Sequence, residues 1–355
     1  MALLRDISIG TKKIGQDHPP FTIAELSGNH AGDINKALDL IRAAAKAGAD
    51  AIKLQVYRAD TITLKSDKPD FQIPKGQGNK WESYGTLYEL YEYAYTPWEW
   101  LPELFAEAHR LGVNLFGSVF DETSVDELEK FNVPAYKIAS PEVFDIGLLI
   151  KVAQTGKPVI ISTGLASLAD LDLAVRTLRE HGTQDIIILK CTTAYPTPFD
   201  QVDLRTIPNL QQTFNCHAGL SDHTLGISVP IAATALGAAV IEKHIKLDEH
   251  SDSVDSFFSL TVDEFKLMVE STRQAFQALG SINYDLPPES YKNRKGTRSL
   301  YVCADIKKGE VFTEKNIKSV RPGYGLHTKY KSEVIGKVAR KDLTIGDRLE
   351  WGVIE

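Results

Sequence analysis

Phe21-Thr-Ile-Ala-Glu-Leu26 is followed by a segment from Ile34 to Ala47 and then by Ala51-Ile-Lys-Leu-Gln-Val56. The first and last runs read as buried strands. Between them Ala37, Leu38, Ile41, Ala44 and Ala45 recur at helical spacing. Asp33 is placed to cap the start of that helix and Gly48 its end. The unit then repeats. Further strands are expected at Val113 to Phe116, Ala135 to Ala139, Val159 to Ser162, Ile186 to Cys191, Ala218 to Ser221 and Ala238 to His244. Helical patterns lie at 99–111, 122–131, 144–155, 168–181 and 226–236. Strands alternating with helices imply a parallel sheet of the α/β class, and the number of repeats favours a (β/α)8 TIM barrel. A doubly wound open sheet is the alternative, but no Gly-x-Gly-x-x-Gly fingerprint follows the first strand.

Other segments flank or interrupt this pattern. The residues before Phe21 are expected to form a hairpin closing the barrel base. An insertion from Tyr57 to Pro97 carries Trp81, Tyr84, Tyr88, Tyr91, Tyr93 and Tyr95, with Trp98 and Trp100 directly after it. Loops of this length are uncommon in compact domains and are often functional. The barrel domain is expected to span 1–280, followed by a charged linker at 281–296 and a small, mainly β domain at 297–355. In that tail Asp305-Ile-Lys-Lys-Gly-Glu-Val-Phe repeats as Asp342-Leu-Thr-Ile-Gly-Asp-Arg-Leu, which implies internal pseudo-symmetry. A domain that small is marginal alone, so docking against another surface is expected.

Composition narrows the function classes. The 355 residues are 43% hydrophobic and 25% charged, ordinary for a globular protein with a sizeable core. A net charge of -7 argues against nucleic-acid binding. Cys191, Cys216 and Cys303 are odd in number and widely spaced, which points to a reducing cytoplasm. The N-terminus is charged too early for a signal peptide, and no apolar run approaches the roughly 20 residues that span a membrane.

Polar residues at barrel strand ends face the active-site mouth. In order these are Glu25, Lys53 with Gln55, Ser118, Lys137 with Ser140, Ser162, Cys191 to Thr193, Ser221 with His223, and His244. His223 and His244 end consecutive strands. Two imidazoles aimed at one space suggest a divalent metal with open coordination positions, which favours catalysis. Their plain alternative is a pair of hydrogen-bonded rim histidines. Lys53 and Lys137 sit inside apolar strands, where an uncompensated charge is costly. With the hydroxyls around them they would cradle a phosphate or carboxylate; otherwise they pair with core carboxylates. Glu25 is the candidate for proton transfer, or an ion-pair partner of Lys53. His30 reads as a supporting or loop histidine.

Ala24-Glu-Leu-Ser-Gly-Asn-His30, Tyr136-Lys-Ile-Ala-Ser140, Ser162-Thr-Gly-Leu165, Cys191-Thr-Thr-Ala-Tyr-Pro-Thr-Pro198, Gly219-Leu-Ser-Asp-His223 and Glu242-Lys-His244 resemble the sialic acid synthases, and Arg321-Pro-Gly continues the match. The resemblance implies a TIM barrel with a C-terminal antifreeze-like (SAF) domain, and a domain-swapped homodimer. It implies condensation of phosphoenolpyruvate with the open-chain aldehyde of an acetamido-deoxy sugar. His223 and His244 match the metal ligands, with manganese the usual ion. Lys53, Ser118, Lys137, Ser140, Ser162, Thr193 and Ser221 match positions around phosphoenolpyruvate. Glu25, Gln55, Tyr195 and Asp255 match groups near the sugar and the reacting carbonyl, and Arg321 the arginine reaching the neighbouring subunit's site.

Thr193 stands where N-acetylneuraminate synthases typically have Asn. Leu87 to Tyr91, Ala94 to Trp100, Ser256 to Leu260 and Arg321 to His327 look instead like the pseudaminic acid synthase branch, whose acceptor is 2,4-diacetamido-2,4,6-trideoxy-L-altrose. An aromatic-rich insertion suits the methyl groups and CH faces of such a sugar, although those aromatics also serve simply to pack the insertion. An N-acetylneuraminate or legionaminate synthase, a Schiff-base aldolase using Lys137 and a non-catalytic carbohydrate-binding barrel are the competing readings.

Overall fold

The computed structural model describes residues 4–76 and 80–355. The Met1-Ala-Leu start of the chain and residues 77–79 of the aromatic insertion lie outside them. By contacts the chain divides into two units, Met1–Gly280 and Ser281–Glu355.

The first unit opens with an antiparallel hairpin of β1 (Ile7–Ile9) and β2 (Lys12–Ile14). Its buried Ile7, Ile9 and Ile14 join the main core. The Ile9 carbonyl accepts from Asn114, and the Arg5 carbonyl lies 2.9 Å from His217 Nε2. Both partners begin barrel strands, so the hairpin plugs the base as expected. The barrel strands are β3 (Phe21–Glu25), β4 (Ala51–Val56), β5 (Asn114–Val119), β6 (Tyr136–Ile138), β7 (Val159–Ser162), β8 (Ile186–Cys191), β9 (His217–Asp222) and β10 (Val240–Lys246). Each pairs in parallel with the next, and β10 pairs with both β9 and β3, which closes the barrel and excludes the open sheet. A two-residue strand, β11 (Leu260–Thr261), pairs in parallel with the end of β10.

The helices are α1 (Ile34–Lys46), α2 (Ala59–Ile62), α3 (Leu87–Ala94), α4 (Leu101–Leu111), α5 (Glu122–Glu129), α6 (Ile146–Ala153), α7 (Leu168–Glu180), α8 (Thr206–Phe214), α9 (Ser228–Ala235) and α10 (Val262–Leu279). Asp33 caps α1 through the Asn35 amide, and Gly48 leaves the helix at φ +91°, a conformation that favours glycine. Four of these helices go beyond the expected set. In α8 the polar Asn209, Gln211 and Gln212 dilute the apolar period, leaving Ile207, Leu210 and Phe214 buried. In α10 the signal is strong: Thr261 and Glu264 form a capping box, and Phe265, Met268, Val269 and Thr272 are buried. The other two, α2 and α3, lie inside the insertion. No helix among the described residues is long and apolar enough to cross a membrane.

The second unit has its own core of Leu300, Val302, Ile306, Phe312, Ile317, Val334, Ala339, Leu343, Leu349 and Ile354. Its elements are α11 (Pro288–Lys292), β12 (Ser299–Val302), β13 (Ile317–Val320) and α12 (Lys331–Val334). Residues 281–296, expected as linker, therefore carry a short exposed helix. The repeat is visible as reciprocal hydrogen bonding. Asp342 accepts from the Lys308 amide at 2.8 Å, and Asp305 accepts from the Ile345 amide at 2.9 Å. Each aspartate closes the turn of the other copy, three residues past its counterpart, while Ile306 bridges Leu343.

Candidate active site

Strand register gathers the polar strand ends. Glu25 of β3 stands level with His244 of β10 on one side and Lys53 of β4 on the other. Gln55 pairs with Ser118 of β5, and Ser118 with Lys137 of β6. Ser221 of β9 pairs with Cys191 of β8 and with Glu242 of β10. Residues paired in register share a face of the sheet. With Ser140, Ser162, Tyr195, His223 and Asp255, these residues line a cavity of about 420 Å³. Small-molecule sites span roughly 300–1,000 Å³.

Two buried ammoniums face two buried carboxylates on its floor. Glu25 Oε2 lies 2.5 Å from Lys53 Nζ, and Glu242 lies 3.7 Å from Lys53 and 3.9 Å from Lys137. Lys53 donates to Ser118 Oγ at 2.8 Å, and Lys137 to Ser162 Oγ at 2.7 Å. Ser221 Oγ donates to Glu242 Oε1 at 2.9 Å. Burial pushes the Glu25 carboxyl up, against Lys53 and with help from the Glu242 charge. For Glu242 burial acts in the same sense, but Lys137 and Lys53 outweigh it and the carboxyl moves down. Lys53 goes up, because Glu242 and Glu25 overcome its burial, whereas burial takes Lys137 down. Both lysines are thus ion-paired and both border the cavity.

The two imidazoles meet with ring centroids 5.3 Å apart. His223 follows β9 directly, while His244 lies within β10 rather than at its end. His223 Nδ1 is 3.2 Å from the Thr192 carbonyl, which makes Nδ1 the donor. Burial acts to lower this imidazole, but Cys191 with that carbonyl outweighs it and moves it up. Burial, then repulsion from His223 and Lys53, holds His244 well below the ordinary histidine range, so it is neutral. Its Nδ1 is buried without a hydrogen-bond partner, 3.8 Å from Asp255 Oδ2. A neutral His244 with an orphaned nitrogen beside a carboxylate, facing a second imidazole, fits a divalent cation. Among the described residues no three His, Cys, Asp or Glu side chains form a complete cage. An ion held by the two histidines would therefore keep positions open for substrate oxygens.

A model of the NeuB family matches residues 40–284, and a SAF domain model matches residues 297–354. The chain belongs to the NeuB family. It is similar to a pseudaminic acid synthase of Campylobacter jejuni, 48% identical over 94% of this chain and 96% of that one. It is also similar to a pseudaminic acid synthase of Helicobacter pylori, 42% identical over 95% and 98%. Among solved structures it resembles the spore coat polysaccharide biosynthesis protein spsE of Bacillus subtilis, with a TM-score of 0.67, 33% identity and 99% of each chain covered.

In this NeuB barrel the remaining expected residues separate. Gln55 donates to Ser27 Oγ at 3.0 Å, and Ser27 donates to Asp255, so these three act as a unit. Ser140 Oγ accepts from the Gly164 amide at 3.0 Å. Thr193 is half-buried and does not line the cavity. Its partnerless Oγ1 lies only 2.2 Å from where a Cβ on Gly164 would stand, so it packs against that glycine. Arg321 is exposed and belongs to the second unit. His30 is buried, edge-on to Trp100 at 5.4 Å, and burial lowers it to about 4; its role is packing. Of the insertion aromatics, Trp81 and Tyr91 line the cavity, while Trp98 and Trp100 pack on the core.

Three residues escaped the sequence reading. Glu242 sits in a quoted motif, and strand alternation alone would have turned it inward with His244. Ser27 lies in the Ala24–His30 motif, but nothing there singled it out beyond its place after β3. Glu142, just past Ser140, has a buried Oε2 with no partner, and burial pushes its carboxyl up to about 7.

Proposed function

We propose that this chain condenses phosphoenolpyruvate with 2,4-diacetamido-2,4,6-trideoxy-L-altrose, giving pseudaminic acid and phosphate. The observation that carries the reading is one cavity holding paired lysines, serine hydroxyls and two facing imidazoles. Lys53 and Lys137 supply charge to the phosphate and carboxylate of phosphoenolpyruvate, and Ser118, Ser162 and Ser221 supply directed hydroxyls. Holding both substrates in one cavity replaces collision by positioning. C3 of phosphoenolpyruvate attacks the aldehyde carbon, water adds at C2, and phosphate leaves by C–O cleavage. Glu25, raised by burial, is placed to exchange a proton at the carbonyl end. A divalent ion at His223 and His244, manganese by family resemblance, would polarise the aldehyde oxygen as a Lewis acid.

A second copy of the chain is proposed to complete the site with Arg321. In support, Phe144, Leu165, Phe199 and Leu225 stand exposed on the connections that follow β6 to β9, and Leu168 at the start of α7.

Phosphate release with the diacetamido sugar and with N-acetylmannosamine tests the reading. Turnover is expected with the first. Preference for the second overturns the choice of sugar, and release with neither leaves a non-catalytic barrel. His244→Ala is expected to lower turnover by at least about 100-fold with the fold intact, and full activity would sink the metal assignment. The aldolase reading finds Lys137 already engaged by Ser162 and the Ile138 carbonyl. Borohydride trapping with pyruvate should leave no adduct.

A further inference from the structure

The cavity has a second wall of different chemistry. Helix α3 presents Leu87, Leu90, Tyr91 and Ala94 to it, positions i, i+3, i+4 and i+7. Such a stripe normally seals a hydrophobic core. Here Leu90, Ala94 and the neighbouring Ile73 are buried yet belong to neither hydrophobic cluster. The apolar face of the helix is turned to the cavity instead. The helix is also firmly placed. Thr86 and Glu89 close a capping box at its start. At its end a Cβ on Gly28 would meet the Ala94 carbonyl at 3.1 Å, so the helix is seated directly on that glycine.

We infer that the aliphatic members of the α3 stripe, Leu87, Leu90 and Ala94, with Ile73, select the acceptor by receiving the methyl group at the end of the sugar chain remote from its aldehyde. This rests on the function proposed above. The aldehyde belongs at the His223 and His244 end, beside the charged floor, so the far end of a six-carbon acceptor extends away from those groups. The side chains of Leu87, Leu90, Ile73 and Ala94 carry no donor or acceptor. A methyl group meets them without loss, whereas a 6-hydroxyl would be stripped of water and left unpaired. An aliphatic pocket rejects an added hydroxyl by about 100-fold at most. The selectivity is accordingly for a 6-deoxy over a 6-hydroxy acceptor, and its determinant is aliphatic rather than aromatic.

The test compares kcat/KM, read as phosphate release, for the 6-deoxy sugar and its 6-hydroxy counterpart. The parent is expected to favour the deoxy sugar by about 10–100-fold. Leu87→Gln, at a half-buried position that spares the fold, is expected to bring that ratio to within a few-fold by gaining on the hydroxy sugar. Leu87→Ile should restore the preference. A parent ratio near one, or a Leu87→Gln variant that slows both sugars equally, overturns the inference and leaves the proposed function standing. Release with neither sugar in the parent overturns both.

Discussion

Burial pushes the Glu142 carboxyl from its ordinary 4.5 up to about 7, and its Oε2 has no partner to compensate. Between those values the folded chain holds a proton that the unfolded chain has released. Stability is therefore fully present below about 4.5 and falls as pH rises through 7, by about 3 kcal/mol in all. Glu142→Gln copies the protonated form. At pH 8 it is expected to be more stable than the parent by about that amount, the gap narrowing to below about 1 kcal/mol at pH 5. Urea unfolding at both pH values measures it. An equal gap at the two would mean the carboxyl titrates normally. Nothing in the sequence marks Glu142, because its shift comes from the packing around it and not from a neighbour in the chain. Lys53 and Lys137, by contrast, announce themselves, since an ammonium in an apolar strand must find a carboxylate. Which carboxylates depends on register, and only Glu25 could be placed beforehand.

Strands fix that register, and one ion pair guards it where the histidines meet. Along β10, Glu242 and His244 turn inward and Lys243 turns away. Lys243 stands in register with Asp222 of β9, and its Nζ meets that carboxylate and the Thr224 carbonyl, all buried. A one-residue slip of β10 would exchange Lys243 for His244 at the cavity. Lys243→Met leaves the Asp222 carboxylate buried without its cation and is expected to cost about 3–5 kcal/mol. Adding Asp222→Asn should recover much of that loss. Denaturant unfolding of both variants decides it: a single-variant loss under about 1 kcal/mol would show the pair to be dispensable. At this scale the barrel was legible throughout, since strands buried on both faces are continuous apolar runs. The helices were less so. In α8 polar residues fill most of the exposed face and blur the period, and α3 sits in an insertion outside the alternation.

At the scale of the whole molecule the two units raise the question of what covers the exposed apolar residues on each. Phe144, Leu165, Phe199 and Leu225 stand exposed on barrel connections and Leu168 at the start of α7, and Ile282, Tyr284, Tyr291 and Tyr324 are exposed in the second unit. Association with another copy is the proposal that would bury them. If Arg321 from that copy completes the site, two inactive variants should complement. Arg321→Ala keeps a working barrel, and His244→Ala keeps a working arginine. Mixed in equal amounts after dissociation, half the dimers would be mixed, and one of the two sites in each would hold both intact groups. About a quarter of parental activity is then expected. Each variant alone should show little. Solution molar mass, measured alongside, tells apart the two ways this can fail. A monomer removes the second copy altogether, whereas a dimer that does not complement places Arg321 over the barrel of its own chain.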